Sequence, residues 1–518
     1  MKHKLISSIT ITATLVCTAL IACASNNMGN LNESPDTKIT LVETYKTKEL
    51  QEFIDKENIC KTGKNIDACT ENKKNLADQF NFNVDQIGKN NPISRINAYS
   101  VTYPSHGVSG EARTLSGAIL VPDVAKDKIK GVILFYHPRD VTKYYVPSCF
   151  MGAKNLPDYC LIGGKNHGSN YAMQIGGVFT SQGYVVIMPD YIGQGIDSSI
   201  MHPYMIYPQA NARSGLDMLS ASRQLLKTLG IEDTTELNLY LSGYSEGGAY
   251  SLWASRLLQG YAKNRLSNNN YSLGLTVPIS GAYDLSGAQT PFLFANVRPY
   301  PHADKYKALA AEELTSMKPI SATTYLTTLA YYNFNQDYSN VLNPDFLSCG
   351  SYCKFGGNTY TIPELYTLIS PDLTKDNIFA ANKNAALDTI NQDNNLAYGS
   401  ENNSIRSLVA DGITKNQIFN KVTKQADIVS WKTTKPVTFV HLDYDSVIAP
   451  LNTQNAYNGL RRASNKNLVD NVSISNFDYN TSITSSNPNV VKPIDNVGCR
   501  VFSYIAALNE FNKAVLQD

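Results

Sequence analysis

The sequence predicts an α/β fold, a mostly parallel sheet with helices on both faces. Three observations lead there. Short apolar runs recur at Gly131–Tyr136 and Tyr184–Met188, with a third at Leu237–Leu241 broken only by Asn238, as expected of buried strands. Stretches of helical period separate such runs, and that alternation argues for parallel strands joined by helical crossovers. After the third run comes Gly243-Tyr244-Ser245-Glu246-Gly247, a sharp turn that opens a helix.

Taken in order, the chain begins with two lysines, Lys2 and Lys4, followed by an apolar run from Leu5 to Ala22. The run suits the apolar region of an export signal better than a membrane span. It ends Leu20-Ile21-Ala22-Cys23, which resembles the bacterial lipobox, where the Cys is lipidated and becomes the new N-terminus. The reading is therefore an exported protein held at the bacterial cell envelope, at its outer membrane, by acyl chains such as palmitate on Cys23. Removing residues 1–22 takes away two lysines and no acid, so the net charge moves from +1 to −1. Residues 24–40, polar with Pro35, read as a tether, and residues 41–95 as an N-terminal segment of short helices.

Strand signals then begin. Tyr99–Tyr103 and Thr114–Val121 are β-rich runs separated by Gly and Pro, a hairpin pattern. The buried runs at 131–136 and 184–188 follow, then a helix over Asn211–Leu229 with Ala212, Leu216, Leu219 and Leu225 on one face. Leu237–Leu241 is a strand and Ala249–Leu258 a helix; Leu275–Ile279, Val437–Val440 and Val472–Phe477 are further strands. Val501–Leu516 closes the chain as an amphipathic helix. Between residues 286 and 430 strong strand signals give way to helical stretches such as Ala322–Tyr332 among Asn-, Tyr- and Pro-rich loops. This is read as a mainly helical cap inserted between two parts of one core, 96–285 and 431–518.

Composition narrows the function. Hydrophobic residues make up 43% of 518, an ordinary globular share once 32 Gly are added. Only 17% are charged and the net charge is +1, so no basic field invites nucleic acid. No P-loop, dinucleotide fingerprint or metal-ligand spacing occurs, so no cofactor and no metal are expected. Export implies oxidising surroundings. Three close cysteine pairs stand out, 60–69, 149–160 and 349–353, with Cys499 left over, although spacing alone does not fix connectivity.

The chemistry centres on Ser245. In a G-x-S-x-G elbow between strand and helix the small residues allow a turn tight enough to raise the Ser hydroxyl above the sheet edge. The backbone N–H of Glu246 then faces the same space and can hold an oxyanion.

Several blocks beside the elbow carry a resemblance to the α/β-hydrolases of the secreted lipase/esterase type. Phe135-Tyr-His137-Pro138-Arg139 resembles the His-Gly oxyanion loop. Met188-Pro-Asp190-Tyr-Ile-Gly-Gln-Gly195 resembles an Asp-Tyr-x-Gly-x-Gly loop, and His202-Pro-Tyr204 a recurring His-Pro-Tyr block. Ser280-Gly-Ala-Tyr283-Asp284-Leu285 resembles the stretch after the strand that follows the elbow helix. The resemblance implies an α/β-hydrolase core acting on a small-molecule ester or lipid-like ligand. It implies Ser245 as nucleophile, and Asp445 in His441-Leu-Asp443-Tyr-Asp445-Ser-Val-Ile-Ala-Pro450 as the acid, in preference to Asp443.

Two positions depart from the pattern. All seven histidines precede Asp445, whereas the family order is Ser, acid, His. In Ile494-Asp495-Asn496-Val497-Gly498-Cys499 the usual histidine position holds Asn496, and an amide does not take up a proton near neutral pH. Pro138 replaces the Gly of His-Gly and has no N–H, leaving Arg139 to supply the second oxyanion donor. His137, His202 and His302 are the alternative bases. The two functional readings are thus a carboxylic-ester hydrolase, and a scaffold with an incomplete triad that binds a lipid-like ligand or a partner.

Overall fold

The computed structural model describes residues 36–50, 93–138, 145–162, 165–166, 168–231, 236–294, 317–334, 354–355, 358–359, 416–442, 445, 447–474, 477–478, 492–493 and 496–516. Nine strands form one sheet: β1 (Lys38–Lys46), β2 (Arg95–His106), β3 (Ala112–Pro122), β4 (Gly131–Tyr136), β5 (Tyr184–Pro189), β6 (Leu237–Tyr244), β7 (Tyr271–Ile279), β8 (Val437–Leu442) and β9 (Val469–Ile474). Their spatial order is β1-β2-β3-β5-β4-β6-β7-β8-β9. The first three are antiparallel, and β3 pairs antiparallel to β5. From β5 to β9 every pairing is parallel.

Every residue of β4 and of β5 is buried, which explains why both read as unbroken apolar runs. One face packs under the closing helix α6 (Asn496–Val515), where Tyr504 and Phe511 meet Phe135, Tyr244 and Tyr184. The other carries α1 (Pro208–Thr228) and α2 (Glu246–Gln259), which cover Val132, Leu134, Ile187, Leu239 and Leu241. Pro208 at the first turn of α1 needs no intrahelical N–H partner there. Further along come α3 (Met317–Asn333), α4 (Gln417–Ala426) and α5 (Leu451–Ala463). The described elements of the 286–430 insertion are helices apart from a two-residue pairing of Lys354–Phe355 with Asn358–Thr359, and residues 427–430 are irregular.

Two expectations need correcting. Residues 38–46 were expected to be the end of a tether and the start of a helical segment. They form the edge strand β1, paired along β2 with a bulge between Leu41 and Glu43. Only Val42 and Tyr45 of this strand are buried. Lys38, Thr40, Glu43, Thr44 and Lys46 fill most of the remaining positions, while Ile39 is half-buried and Leu41 exposed, so the strand shows no clean apolar alternation, and its charges suit a guarded edge. The last strand lies at Val469–Ile474, three residues before its expected position, because its interior is half polar and Val469 and Ile474 alone are buried. Cys149 and Cys160 are joined, as their spacing suggested. The other two pairs lie outside the described residues. No helix among the described residues is long and apolar enough to cross a membrane.

Candidate active site

The chain reverses its direction of travel across the sheet between β4 and β6, which lie side by side with Tyr136 opposite Gly243. In open parallel sheets such a switch point opens a crevice at the carboxyl ends of the strands. Ser245 follows β6 there, His137 follows β4, and Asp445 follows β8 two strands away.

Ser245 has φ 58° and ψ −119°, a conformation that L residues seldom adopt. It is tied on both sides: its N–H donates to Ile279 O at 2.9 Å, and its C=O accepts from Gly248 N at 3.0 Å. The glycines are there for space. A Cβ on Gly243 would stand 2.2 Å from Gly247 O, and one on Gly247 would stand 2.0 Å from Tyr136 O. Ser245 keeps some solvent access while its neighbours from 241 to 250 are buried. Among the described residues its hydroxyl has no hydrogen-bond partner.

Glu246 directs its side chain away into the core. Oε1 accepts from Met205 N at 3.4 Å and from the Tyr250 hydroxyl, and it lies 2.8 Å from His202 Nε2. Burial by itself would raise this carboxyl, but the His202 charge and the hydrogen bonds from His202 and Tyr250 hold it below its ordinary value. His202 Nδ1 meets Ile192 O at 2.8 Å. Both ring nitrogens therefore face acceptors, and the ring ties the loop after β5 to the first turn of α2 with no nitrogen left to take a proton from Ser245.

His137 is wholly buried, stacked 4.2 Å from the Tyr191 ring, with Nδ1 donating to Pro138 O at 2.7 Å. Burial pushes its pKa down from 6.5 to about 4, against smaller upward effects from the Pro138 and Asp190 backbone and from Glu246. So weak a base is poorly matched to proton abstraction near neutrality. Asp445 is buried, and its Oδ1 accepts from Val447 N and Ile448 N, each at 2.8 Å.

The model of the secretory lipase family matches residues 173–266, the stretch that carries β5, α1, β6, the elbow and α2. Among solved structures, a candidate hydrolase from Legionella pneumophila subsp. pneumophila strain Philadelphia 1 superposes with a TM-score of 0.59 at 17% identity, over 93% of this chain and 98% of that one. The rice cell wall degrading esterase LipA from Xanthomonas oryzae superposes at 0.54 and 17% identity, over 85% of this chain and 90% of that one. Its ligand-bound form gives 0.56, over 93% and 97%. The chain has the α/β-hydrolase fold. No curated protein matches it in sequence.

Within this fold Ser245, Glu246 and His137 follow neighbouring strands at one crevice, and Asp445 lies on the same edge of the sheet. Asn496 is the first residue of α6. Tyr504, eight residues along that helix and about 12 Å further on, packs edge-on against Tyr244 with centroids 5.8 Å apart. Arg139, Asp443, His302 and Cys23 lie outside the described residues. Among the described residues no group of three or more His, Cys, Asp or Glu could hold a metal ion.

The brace of the Asp445 loop leaves no mark in the sequence. Gln289 donates from Nε2 to Val447 O at 2.8 Å, and its Oε1 accepts from Ala449 N at 3.1 Å and Asn452 Nδ2 at 2.8 Å. Nothing in a lone Gln near a cap boundary announces this. The role of Asp190 was equally silent: it accepts from Ser116 Oγ at 2.6 Å and from both the N–H, at 2.9 Å, and the hydroxyl of Ser148, beside the Cys149–Cys160 bridge.

Proposed function

We propose that the chain is an exported, lipid-anchored hydrolase of the lipase/esterase type, acting on a carboxylic ester through Ser245, with Asp445 as its acid and Asn496 at the usual histidine position. The strained elbow carries this reading. A non-glycine residue at such a φ/ψ costs about 1–3 kcal/mol, and a plain structural turn has no need of it. In acyl transfer Ser245 Oγ attacks the ester carbonyl, and the Glu246 N–H takes up part of the negative charge on the carbonyl oxygen; collapse of this adduct breaks the ester C–O bond, the alcohol leaves with a proton from water, and a second water hydrolyses the acyl-Ser245 to the acid. The Glu246 side chain, paired with His202, holds that peptide in place. Arg139 supplies the second donor, because Pro138 has no N–H.

The proton is the weak point. With an amide at position 496, His202 committed on both nitrogens, His137 buried and weakly basic and His302 outside the described residues, this reading gives the Ser245 proton to water. In another serine hydrolase, loss of the histidine costs about 2 × 10⁶ in kcat and leaves roughly 10³–10⁴ over water. Slow turnover is therefore expected.

Asn496 and Pro138 favour a second reading, in which the crevice binds a lipid-like ligand or a partner without turnover. Labelling with a fluorophosphonate separates the two. The first reading predicts slow labelling that disappears in Ser245→Ala. Absence of labelling in both proteins favours the second.

A further inference from the structure

Tyr191, two residues beyond β5, takes a backbone shape that a bulky residue seldom adopts. Its φ of 81° lies in the left-handed region where non-glycine residues are uncommon. Strain of this kind lasts only where the surroundings hold it, and it gathers at functional sites. What holds Tyr191 is its side chain, which is wholly buried. The His137 and His202 rings lie nearly parallel to it, with centroids 4.2 and 5.6 Å away, and the Tyr250 ring stands edge-on at 5.1 Å.

Each of these neighbours leads back to the elbow. His202 Nε2, at 2.8 Å, and the Tyr250 hydroxyl both meet Glu246 Oε1. The Tyr191 hydroxyl donates to His137 O at 2.7 Å. That carbonyl lies against the elbow's last glycine, since a Cβ on Gly247 would stand 2.7 Å from it. Through His202, Tyr250 and His137, then, one buried ring touches the supports of both residues that follow Ser245.

We infer that Tyr191 is a positioning residue for the oxyanion donor: it sets the place of the Glu246 N–H through His202 and Tyr250, which hold the Glu246 side chain, and through the His137 carbonyl against Gly247. The inference rests on the reading proposed above, in which Ser245 attacks an ester and that N–H receives the charge. Being wholly buried, Tyr191 acts through its neighbours and not on the substrate. An oxyanion donor works by being aimed beforehand at the point where charge develops, and a misplacement of about 1 Å arising away from the reacting atoms can cost about 10² in rate. A ring packed against three others, with its hydroxyl bound, fixes that aim, and this gives the strained backbone at 191 a purpose.

Hydrolysis of p-nitrophenyl butyrate, and its inhibition by phenylboronate, whose tetrahedral adduct on a serine mimics the charged intermediate, test this. The wild-type chain, Tyr191→Phe and Tyr191→Leu are compared, with Ser245→Ala as the blank, at a temperature where thermal denaturation shows each protein folded. Tyr191→Phe keeps the ring and strips the hydroxyl from His137 O. Its kcat should fall about tenfold, a part of the loss of about 10²–10³ that follows outright removal of such a donor. Tyr191→Leu removes the ring as well and should cost about 10²; where it does not fold, Tyr191→Phe decides alone. In each variant the boronate inhibition constant should rise in step with the loss in kcat while KM stays within about twofold, a split that a merely structural residue would not give. Turnover and boronate inhibition unchanged in Tyr191→Phe overturn the inference, as does a KM that rises while kcat holds. Absence of Ser245-dependent hydrolysis and of boronate inhibition in the wild-type chain overturns the reading of the site itself, and this inference with it.

Discussion

His202 Nε2 and Glu246 Oε1 lie 2.8 Å apart in the core, one residue beyond Ser245. The pair is buried on both sides, with side-chain exposures of 7% and 1%, and Glu246 sits at the first turn of α2, where the helix dipole favours a negative charge. Through it the loop after β5 grips the residue that follows Ser245. Removing one partner of a buried pair leaves the other charge uncompensated and costs about 3–5 kcal/mol. His202→Ala and Glu246→Ala should each lower unfolding stability by that amount in urea titrations. A loss below about 1 kcal/mol would mean that the pair behaves as a surface contact.

The elbow is predicted to trade stability for geometry. Ser245→Gly removes the strain of φ 58° and, after allowing for the looser unfolded chain, should raise stability by about 1 kcal/mol. Gly247→Ala, whose Cβ would meet Tyr136 O at 2.0 Å, should destabilise by about 3 kcal/mol or prevent folding. Thermal denaturation of the two variants checks both signs.

The Asp445 loop depends on Gln289. Gln289→Ala strips hydrogen bonds from Val447, Ala449 and Asn452, and should cost about 2–3 kcal/mol while slowing Ser245 labelling in step with loosening around Asp445. Unchanged stability and unchanged labelling would show that the loop holds without it.

Asp190 and His137 give opposite pH slopes. Burial raises Asp190 from 3.8 to about 6, despite hydrogen bonds from Ser116 and Ser148. Between those values the folded state holds more protons than the unfolded chain, so this group lowers stability as pH rises through the window. His137 is depressed from 6.5 to about 4. There the unfolded chain takes the proton first, so this group lowers stability as pH falls. Each contribution is about 3 kcal/mol at full extent, and in the wild-type chain the two largely offset. Asp190→Asn should expose a loss of stability on acidification from about pH 6.5 to pH 4, and His137→Phe a gain. Parallel urea midpoints in all three proteins across that range would contradict both assignments.

Much of this was legible in the sequence, for physical reasons. A strand buried on both faces must be apolar throughout, so β4, β5 and the core of β6 stood out. The elbow did too, because only glycine fits at positions 243 and 247. By contrast, β1 and β9 are edge strands with two buried residues each, so β1 shows no clear strand pattern and the pattern places β9 three residues late. Long-range polar partnerships leave no local pattern. The Glu246–His202 pair spans 44 positions and Gln289–Val447 spans 158, so neither can be seen from spacing.

The central claim is that Ser245 stands in a working elbow and that the missing element is a base at position 496. Ester hydrolysis by Asn496→His, measured beside the wild-type chain and the double variant with Ser245→Ala, tests it most directly. A positioned general base contributes about 10²–10⁴ in rate, so the single variant should gain at least about 10²-fold, and the double variant should lose that gain. No gain in Asn496→His, or a gain that survives Ser245→Ala, would contradict the account.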